Sequence, residues 1–189
     1  MKRIGLFPGS FDPIHDGHIE VARAALEQLE LDELYFMVEE KPWGDKKPVS
    51  LKHRIRMLQF GIINEPRMEI LSKIDHHFTL DTTLPKLEAE FKECELYFIF
   101  GGDVFIHMNP DQWPELENLL RHYIVVFERG VISEKRISDH ARNLGIVIAI
   151  IPSTLPLHSS TDVRLEAQNK AVWVPEKIAT YIAEHNLYQ

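Results

Sequence analysis

Short apolar runs alternate along this chain with stretches whose apolar residues recur at helical spacing. Ile4-Gly5-Leu6-Phe7 is the first run; it passes through Pro8-Gly9 into a segment whose Ile19, Ala22, Leu26 and Leu29 share one helical face. Leu34-Tyr35-Phe36-Met37-Val38 is rich in β-formers and reads as a second strand. Two strands joined through a helix pair in parallel. Ser50 can cap the next helix, where Leu51, Ile55, Leu58 and Ile62 fall on one face. His53, Arg54 and Arg56 lie elsewhere on its circumference, for which a solvated face is the ordinary account. Met68 to Leu71 alternates weakly as a third strand, and a helix with Leu84, Leu87 and Phe91 follows, Pro85 being tolerable only in its first turn. Leu96 to Phe100 is unbroken apolar sequence, as in a central strand buried on both faces. Tyr123–Phe127 and Ile146–Ile151 are two more strands, with a polar, helical segment from Ser133 to Asn143 between them, and an amphipathic helix with a docked tail closes the chain. Five or six strands alternating with helices predict an α/β fold with a doubly wound parallel sheet.

The strand ends carry the candidate chemistry, because ligands of open α/β sheets gather at the carboxyl edge. The first strand runs into Gly9-Ser10-Phe11-Asp12-Pro13-Ile14-His15-Asp16-Gly17-His18 at the start of a helix. The first N–H groups of a helix lack intrahelical partners and carry the positive end of its dipole, so such a junction suits an anion, and His15 and His18, three apart, project toward the same space. Gly9 and Gly17 let the backbone come close to a ligand or turn sharply. A tight loop whose histidines only cap a helix is the competing reading of an isolated HxxH. The loop after the second strand, Glu39 to Val49, offers Lys46 and Lys47 to a phosphate, though a solvated surface pair is as good an account of either. Thr79-Leu80-Asp81-Thr82-Thr83 reads as a helix cap or as a polar lining for a small ligand. Gly101-Gly102-Asp103 would let a nucleotide approach while Asp103 accepts from a ribose hydroxyl, with an ordinary capped turn as the alternative. Trp113, beside Pro114, lids a pocket or packs under a loop. Ser159-Ser160-Thr161-Asp162-Val163-Arg164 is a second helix start with hydroxyl donors and a planar guanidinium suited to phosphate oxygens.

Composition narrows the classes. With 189 residues, 44% of them hydrophobic, the expectation is one domain spanning 1–189. A net charge of -8 argues against a protein that grips a nucleic-acid backbone, so any phosphate binding should be local. Neither a signal-peptide core nor a membrane span is visible, which makes a cytoplasmic protein the expectation. Cys94 is the only cysteine, so an internal disulfide and a CxxC pair are excluded. Ten histidines and the cluster Asp75-His76-His77 raise the idea of a metal-dependent hydrolase, but no HExxH occurs.

The string GSFDPIHDGH resembles the HxGH signature of the nucleotidyltransferase superfamily. Together with Val49-Ser50, His53-Arg54 and Met57-Leu58, Phe78 to Thr82, Gly102-Asp103 with downstream Trp113, Ser159 to Arg164 and the ending YIAEHNLY, the chain is similar over nearly its whole length to the bacterial nicotinate-nucleotide adenylyltransferase family. The resemblance implies a Rossmann-like nucleotidyltransferase fold and adenylyl transfer from ATP to a pyridine mononucleotide. It implies that His15, His18 and Arg164 are catalytic, and that Gly9, Ser10, Phe11, Gly102, Asp103, Ser159, Ser160 and Thr161 join His18 and Arg164 in binding ATP. Mg²⁺ would be carried by the ATP phosphates rather than a protein cage. Thr79, Asp81, Trp113 and Lys47 are the candidates for the acceptor pocket. Three departures stand out: Ser10 where a threonine is usual, His77-Phe78 where serine and tyrosine are usual, and a loop, Lys41 to Lys46, without the usual proline-rich pattern. The last two fall where the family holds its pyridine nucleotide. Nicotinamide mononucleotide or phosphopantetheine as acceptor, and a catalytically idle nucleotide-binding module, remain open alternatives.

Overall fold

The computed structural model of the chain describes residues 1–41, 47–72, 74, 76–128, 132–152, 160, 164 and 174–188. Strands β1 (Lys2–Gly9), β2 (Glu33–Val38), β3 (Met68–Ile70), β4 (Cys94–Gly101), β5 (Tyr123–Phe127) and β6 (Ile148–Ile151) form one sheet in the order β3-β2-β1-β4-β5-β6. Every neighbouring pair is parallel. The expected doubly wound sheet is therefore what the chain builds.

Helices α1 (Asp16–Gln28), α2 (Leu51–Gly61), α3 (Thr83–Glu90), α4 (Gly102–Phe105), α5 (Leu116–Leu119), α6 (Glu134–Leu144) and α7 (Glu176–Glu184) connect and follow the strands. Successive strand residues point to opposite faces, so the core divides in two. Phe7, Phe36, Ile99 and Val125 join α1, α2 and α7 on one side, while Ile4, Leu6, Phe98 and Phe100 join α3 and α6 on the other. This is why β4 reads as an unbroken apolar run: Leu96 to Gly101 are all buried, with helices over both faces.

β6 is shorter than the sequence pattern predicts. α6 ends at Gly145, in left-handed conformation at φ 69°, and Val147 is 96% exposed before the strand begins at Ile148. The expectation of a solvated Arg54 is overturned more sharply: its side chain is 1% exposed. Arg54 lies between Leu51 and Leu58 at spacings of three and four, on the inward face of α2, and its guanidinium enters the protein to reach backbone carbonyls. Among the described residues no helix is long and apolar enough to cross a membrane.

The strand order reverses between β1, whose connection leads to β2, and β4, whose connection leads to β5 on the other side. A crevice opens outside the carboxyl ends of strands at such a point.

Candidate active site

Where β1 ends, the chain makes an unusual turn. Phe11 has φ 45°, a left-handed conformation that a bulky residue adopts only when its surroundings enforce it. The enforcing group is its own ring, 1% exposed and set edge-on to Phe7, Phe36 and His18 at centroid distances of 5.4, 5.2 and 5.2 Å. A Cβ on Gly9 would lie 2.9 Å from Cζ of that ring, so the turn requires glycine there.

α1 then starts at Asp16, and the His15 carbonyl accepts from the N–H of His18 at 3.0 Å. The two histidine rings lie against each other with centroids 3.8 Å apart and planes tilted by 32°, and Gly17 makes room for His15, whose ring atoms would be 3.1 Å from a Cβ there. They do not share one role in space. His18 forms part of the wall of a cavity of about 730 Å³, whereas His15 is buried behind it and is not in that wall.

The cavity lies at the switch point. Gly9, Ser10, Phe11 and Asp12 form one side, and Gly101, Asp103, Val104 and His107 the side across the crevice. Gly102 is not in the wall; a Cβ there would meet Ile137 and Ile132, so its small size serves the packing of α4 against α6, and Gly101 is the glycine that faces the space. Asp103 is exposed at the rim. From the segment that follows β6 come Ser160 and Arg164. The Ser160 hydroxyl donates to the carbonyl of Pro13 at 3.2 Å, and Arg164 Nη1 donates to the carbonyl of Asp12 at 2.6 Å, so both residues are fastened to the β1 loop. Ser159, Thr161 and Lys46 lie outside the described residues.

The acceptor candidates divide between two spaces. Lys47 and Trp113 line the main cavity, and Trp113, 8% exposed, stands edge-on to Phe100 at 6.1 Å. Thr79 and Asp81 line an adjoining recess of about 590 Å³, separated from the cavity by Phe78, Gln112 and Trp113, which belong to both walls. Thr79 also serves its helix: its hydroxyl accepts from the N–H of Thr83 at 3.4 Å. A hydrogen bond from the Thr79 hydroxyl holds the exposed Asp81 carboxyl below its ordinary value.

Three contributors lie outside the candidate site residues named from the sequence. Arg54 donates from Nη1 to the carbonyls of Ser10 and Glu39, from Nε to Val49 and from Nη2 to Glu40. It binds the β1 loop, the end of β2 and the start of α2 into one body. Burial lowers its affinity for its proton, although nearby acidic groups led by Asp12 oppose that shift. Glu39 is 8% exposed in the cavity wall; its Oε1 accepts from the Phe78 N–H at 2.9 Å, and its Oε2 is 3.5 Å from His77 Nδ1. Tyr188, near the chain end, donates to Asp12. The spacing of Arg54 from Leu51 and Leu58 was a usable signal; the pairings of Glu39 and Tyr188 cross too much sequence to leave one.

A switch-point cavity walled by a histidine-bearing helix start, hydroxyls and a guanidinium is the arrangement of a nucleotidyltransferase, and residues 6–166 match the family model described as cytidylyltransferase-like. Within that class the chain belongs to the nicotinate-nucleotide adenylyltransferase family. It is 35% identical to the probable nicotinate-nucleotide adenylyltransferase of Clostridium botulinum (strain Alaska E43 / Type E3), over 100% of this chain and 99% of that protein. It is 33% identical to the protein of the same description from Thermus thermophilus, over 99% of this chain and 100% of its relative. In fold it resembles the Plasmodium falciparum nicotinic acid mononucleotide adenylyltransferase complexed with NaAD, with a TM-score of 0.81 at 20% identity, covering 100% of this chain and 98% of that one.

Proposed function

We propose that this chain, acting as one nucleotidyltransferase domain over residues 1–189, transfers the adenylyl group of ATP to nicotinate mononucleotide. The products are nicotinate adenine dinucleotide and pyrophosphate. The observation that carries the reading is the cavity of about 730 Å³ whose wall brings His18, Ser160 and Arg164 together with Gly101, Asp103 and Trp113. Its volume suits a nucleotide. The names of the full-length relatives support the choice of acceptor.

A phosphate oxygen of the mononucleotide would attack the α-phosphorus of ATP in line. The new P–O bond forms as the bond from the α-phosphorus to its bridging oxygen breaks, and that electron pair leaves with pyrophosphate. No protein nucleophile is needed, so the work is alignment and stabilisation of charge on the equatorial and leaving oxygens. His18, at the positive end of α1, would donate toward the α-phosphate, with His15 lying against it to fix the ring. Ser10 and the backbone at Phe11 would meet the reacting phosphates. Arg164, with Ser160 and the neighbouring Ser159 and Thr161, would hold the β- and γ-phosphates as pyrophosphate leaves. Asp103 would accept from the adenosine ribose, and Lys47 would reach the phosphate of the acceptor.

The phosphate side of the cavity presents imidazole, hydroxyl and guanidinium groups, a set that fits a triphosphate arriving with its own cation. Mg²⁺ would supply neutralisation of the phosphate oxygens while bound to them and to water. A cytoplasmic setting, where ATP is maintained, goes with this reading.

The test is pyrophosphate release from ATP and Mg²⁺ with nicotinate mononucleotide, nicotinamide mononucleotide and phosphopantetheine offered separately. Preference for nicotinate mononucleotide is expected, with a loss of about a hundredfold or more in His18→Ala. Preference for either of the others would reassign the acceptor, and release with none of them by a folded, ATP-binding protein would reduce the reading to nucleotide binding.

A further inference from the structure

The described fold reaches its last residues with a bond that the proposed chemistry does not use. Asn186 and Tyr188 both take left-handed backbone, φ 50° and 65°, and these turns bring the Tyr188 ring back to the β1 loop. Its hydroxyl donates to Asp12 Oδ1 at 2.7 Å, across 176 residues of sequence. α7 anchors the tail: Ile178 and Ile182 are buried, and Tyr181 Oη lies 2.9 Å from His53 Nδ1 of α2.

Asp12 is 4% exposed and stands next to Arg164. Arg164 Nη1 donates to the Asp12 carbonyl, but the nearest approach between the two side chains, Nη1 to Oδ2, is 3.7 Å. An aspartate and an arginine under no other constraint would form a shorter, forked pair. Here the other oxygen, Oδ1, is held by the Tyr188 hydroxyl and, more weakly, by the Val49 N–H at 3.3 Å. A carboxylate turns easily about its terminal torsion, so what holds one oxygen sets the aim of the other. We infer that Tyr188 is a positioning residue: by holding Oδ1 of Asp12 it keeps the carboxylate from closing on Arg164, and so keeps the guanidinium charge directed at phosphate.

Burial and the neighbouring Asp12 charge both raise the Tyr188 phenol above its ordinary value, which favours the protonated, donating form. Without the hydroxyl, Asp12 turns, shortens its 3.7 Å ion pair with Arg164 and competes more strongly with the incoming anion. The loss therefore falls on anion affinity and requires the Asp12 charge.

The inference rests on reading Arg164 as a phosphate-binding group, and the experiment separates the two. Inorganic pyrophosphate binding is measured by calorimetry on the full chain and on Tyr188→Phe, Asp12→Asn, the double variant and Arg164→Ala, with urea unfolding as the check on folding. Tyr188→Phe is expected to weaken pyrophosphate binding by about tenfold, the size of one charge-assisted hydrogen bond. On the Asp12→Asn background the same change is expected to cost less than about twofold, because no carboxylate remains to compete. A chain ending at Leu187 is the second probe and carries the same expectation if Tyr188→Phe does not fold. Unchanged affinity in Tyr188→Phe, or an equal loss on both backgrounds, overturns the inference while leaving the role of Arg164 intact. Unchanged affinity in Arg164→Ala overturns both.

Discussion

Arg54 Nη1 donates to the carbonyl of Ser10 at 2.8 Å, a bond from α2 into the loop that follows β1. The same guanidinium meets the carbonyls of Glu39 at 2.6 Å and Val49 at 2.9 Å, so one side chain sets the spacing between two strand ends and the next helix. A buried fork of donors does this where a flexible ammonium would not. Arg54→Met leaves the buried Glu39 carbonyl and the part-buried Ser10 and Val49 carbonyls without their donor, and unsatisfied buried groups cost about 1–3 kcal/mol each. The expected loss is about 3 kcal/mol or more in urea unfolding. Arg54→Lys, which keeps charge but not the fork, should recover less than half of it. A loss below about 1 kcal/mol in the methionine variant would mean that the loop holds its shape without the guanidinium.

Gly9 bears on the same loop from inside. Gly9→Ala puts a methyl 2.9 Å from the Phe11 ring, which is 1% exposed and cannot retreat without displacing His18 at its edge. Overpacking of this kind costs about 1–3 kcal/mol. The variant should fold with a lowered unfolding temperature and bind ATP less tightly, and a crystal structure should show the His18 ring moved. An alanine variant with unchanged ATP affinity would show that the ring position is not critical.

What could be read from the chain in advance follows the range of the forces involved. The strands declared themselves because burial is local in sequence: Leu96 to Phe100 is apolar because helices cover both faces of β4. The junction from Gly9 to His18 was legible for the same reason, since a strand, a turn and a helix start are consecutive. Arg54 departs from the expected solvated face because position outweighs charge: its spacing from Leu51 and Leu58 puts it on the buried face of α2. The partition of the histidines, with His18 in the cavity wall and His15 behind it, depends on ring rotamers that spacing does not specify. Glu39 with Phe78, and Asp12 with Tyr188, are pairings made by the sheet topology, visible only once the sheet exists.

Glu39 should give the fold a pH dependence of definite sign. Burial pushes its carboxyl above the ordinary value of 4.5, against the opposing pull of the Phe78 N–H, His77 and Arg54. A carboxyl raised on folding favours the native state when protonated; that contribution is fully present below the unfolded value and is lost as pH rises through the folded one. Glu39→Gln keeps an acceptor for the Phe78 N–H and removes the titration. Urea midpoints measured from about pH 4 to about pH 8 on both proteins are therefore expected to diverge upward from about pH 4.5, with glutamine increasingly the more stable, and to run parallel above the folded value. A glutamine variant that loses ground as pH rises would mean that His77 outweighs burial and that the carboxylate is held by its ion pair.

Trp113 separates the main cavity from the recess lined by Thr79 and Asp81, and its ring stands edge-on to Phe100 at 6.1 Å. A flat, buried aromatic shared by the walls of two spaces offers a face to a heteroaromatic ring. If the acceptor's pyridine lies against that face, Trp113→Ala should raise KM for the mononucleotide about tenfold or more, while KM for ATP changes by less than about twofold. Trp113→Phe retains an aromatic face and should lose about threefold or less. Because truncating a buried tryptophan also costs about 3–5 kcal/mol, the kinetics belong at a temperature where circular dichroism finds the variant folded. A rise in KM for ATP with KM for the mononucleotide unchanged would instead assign Trp113 to ATP binding.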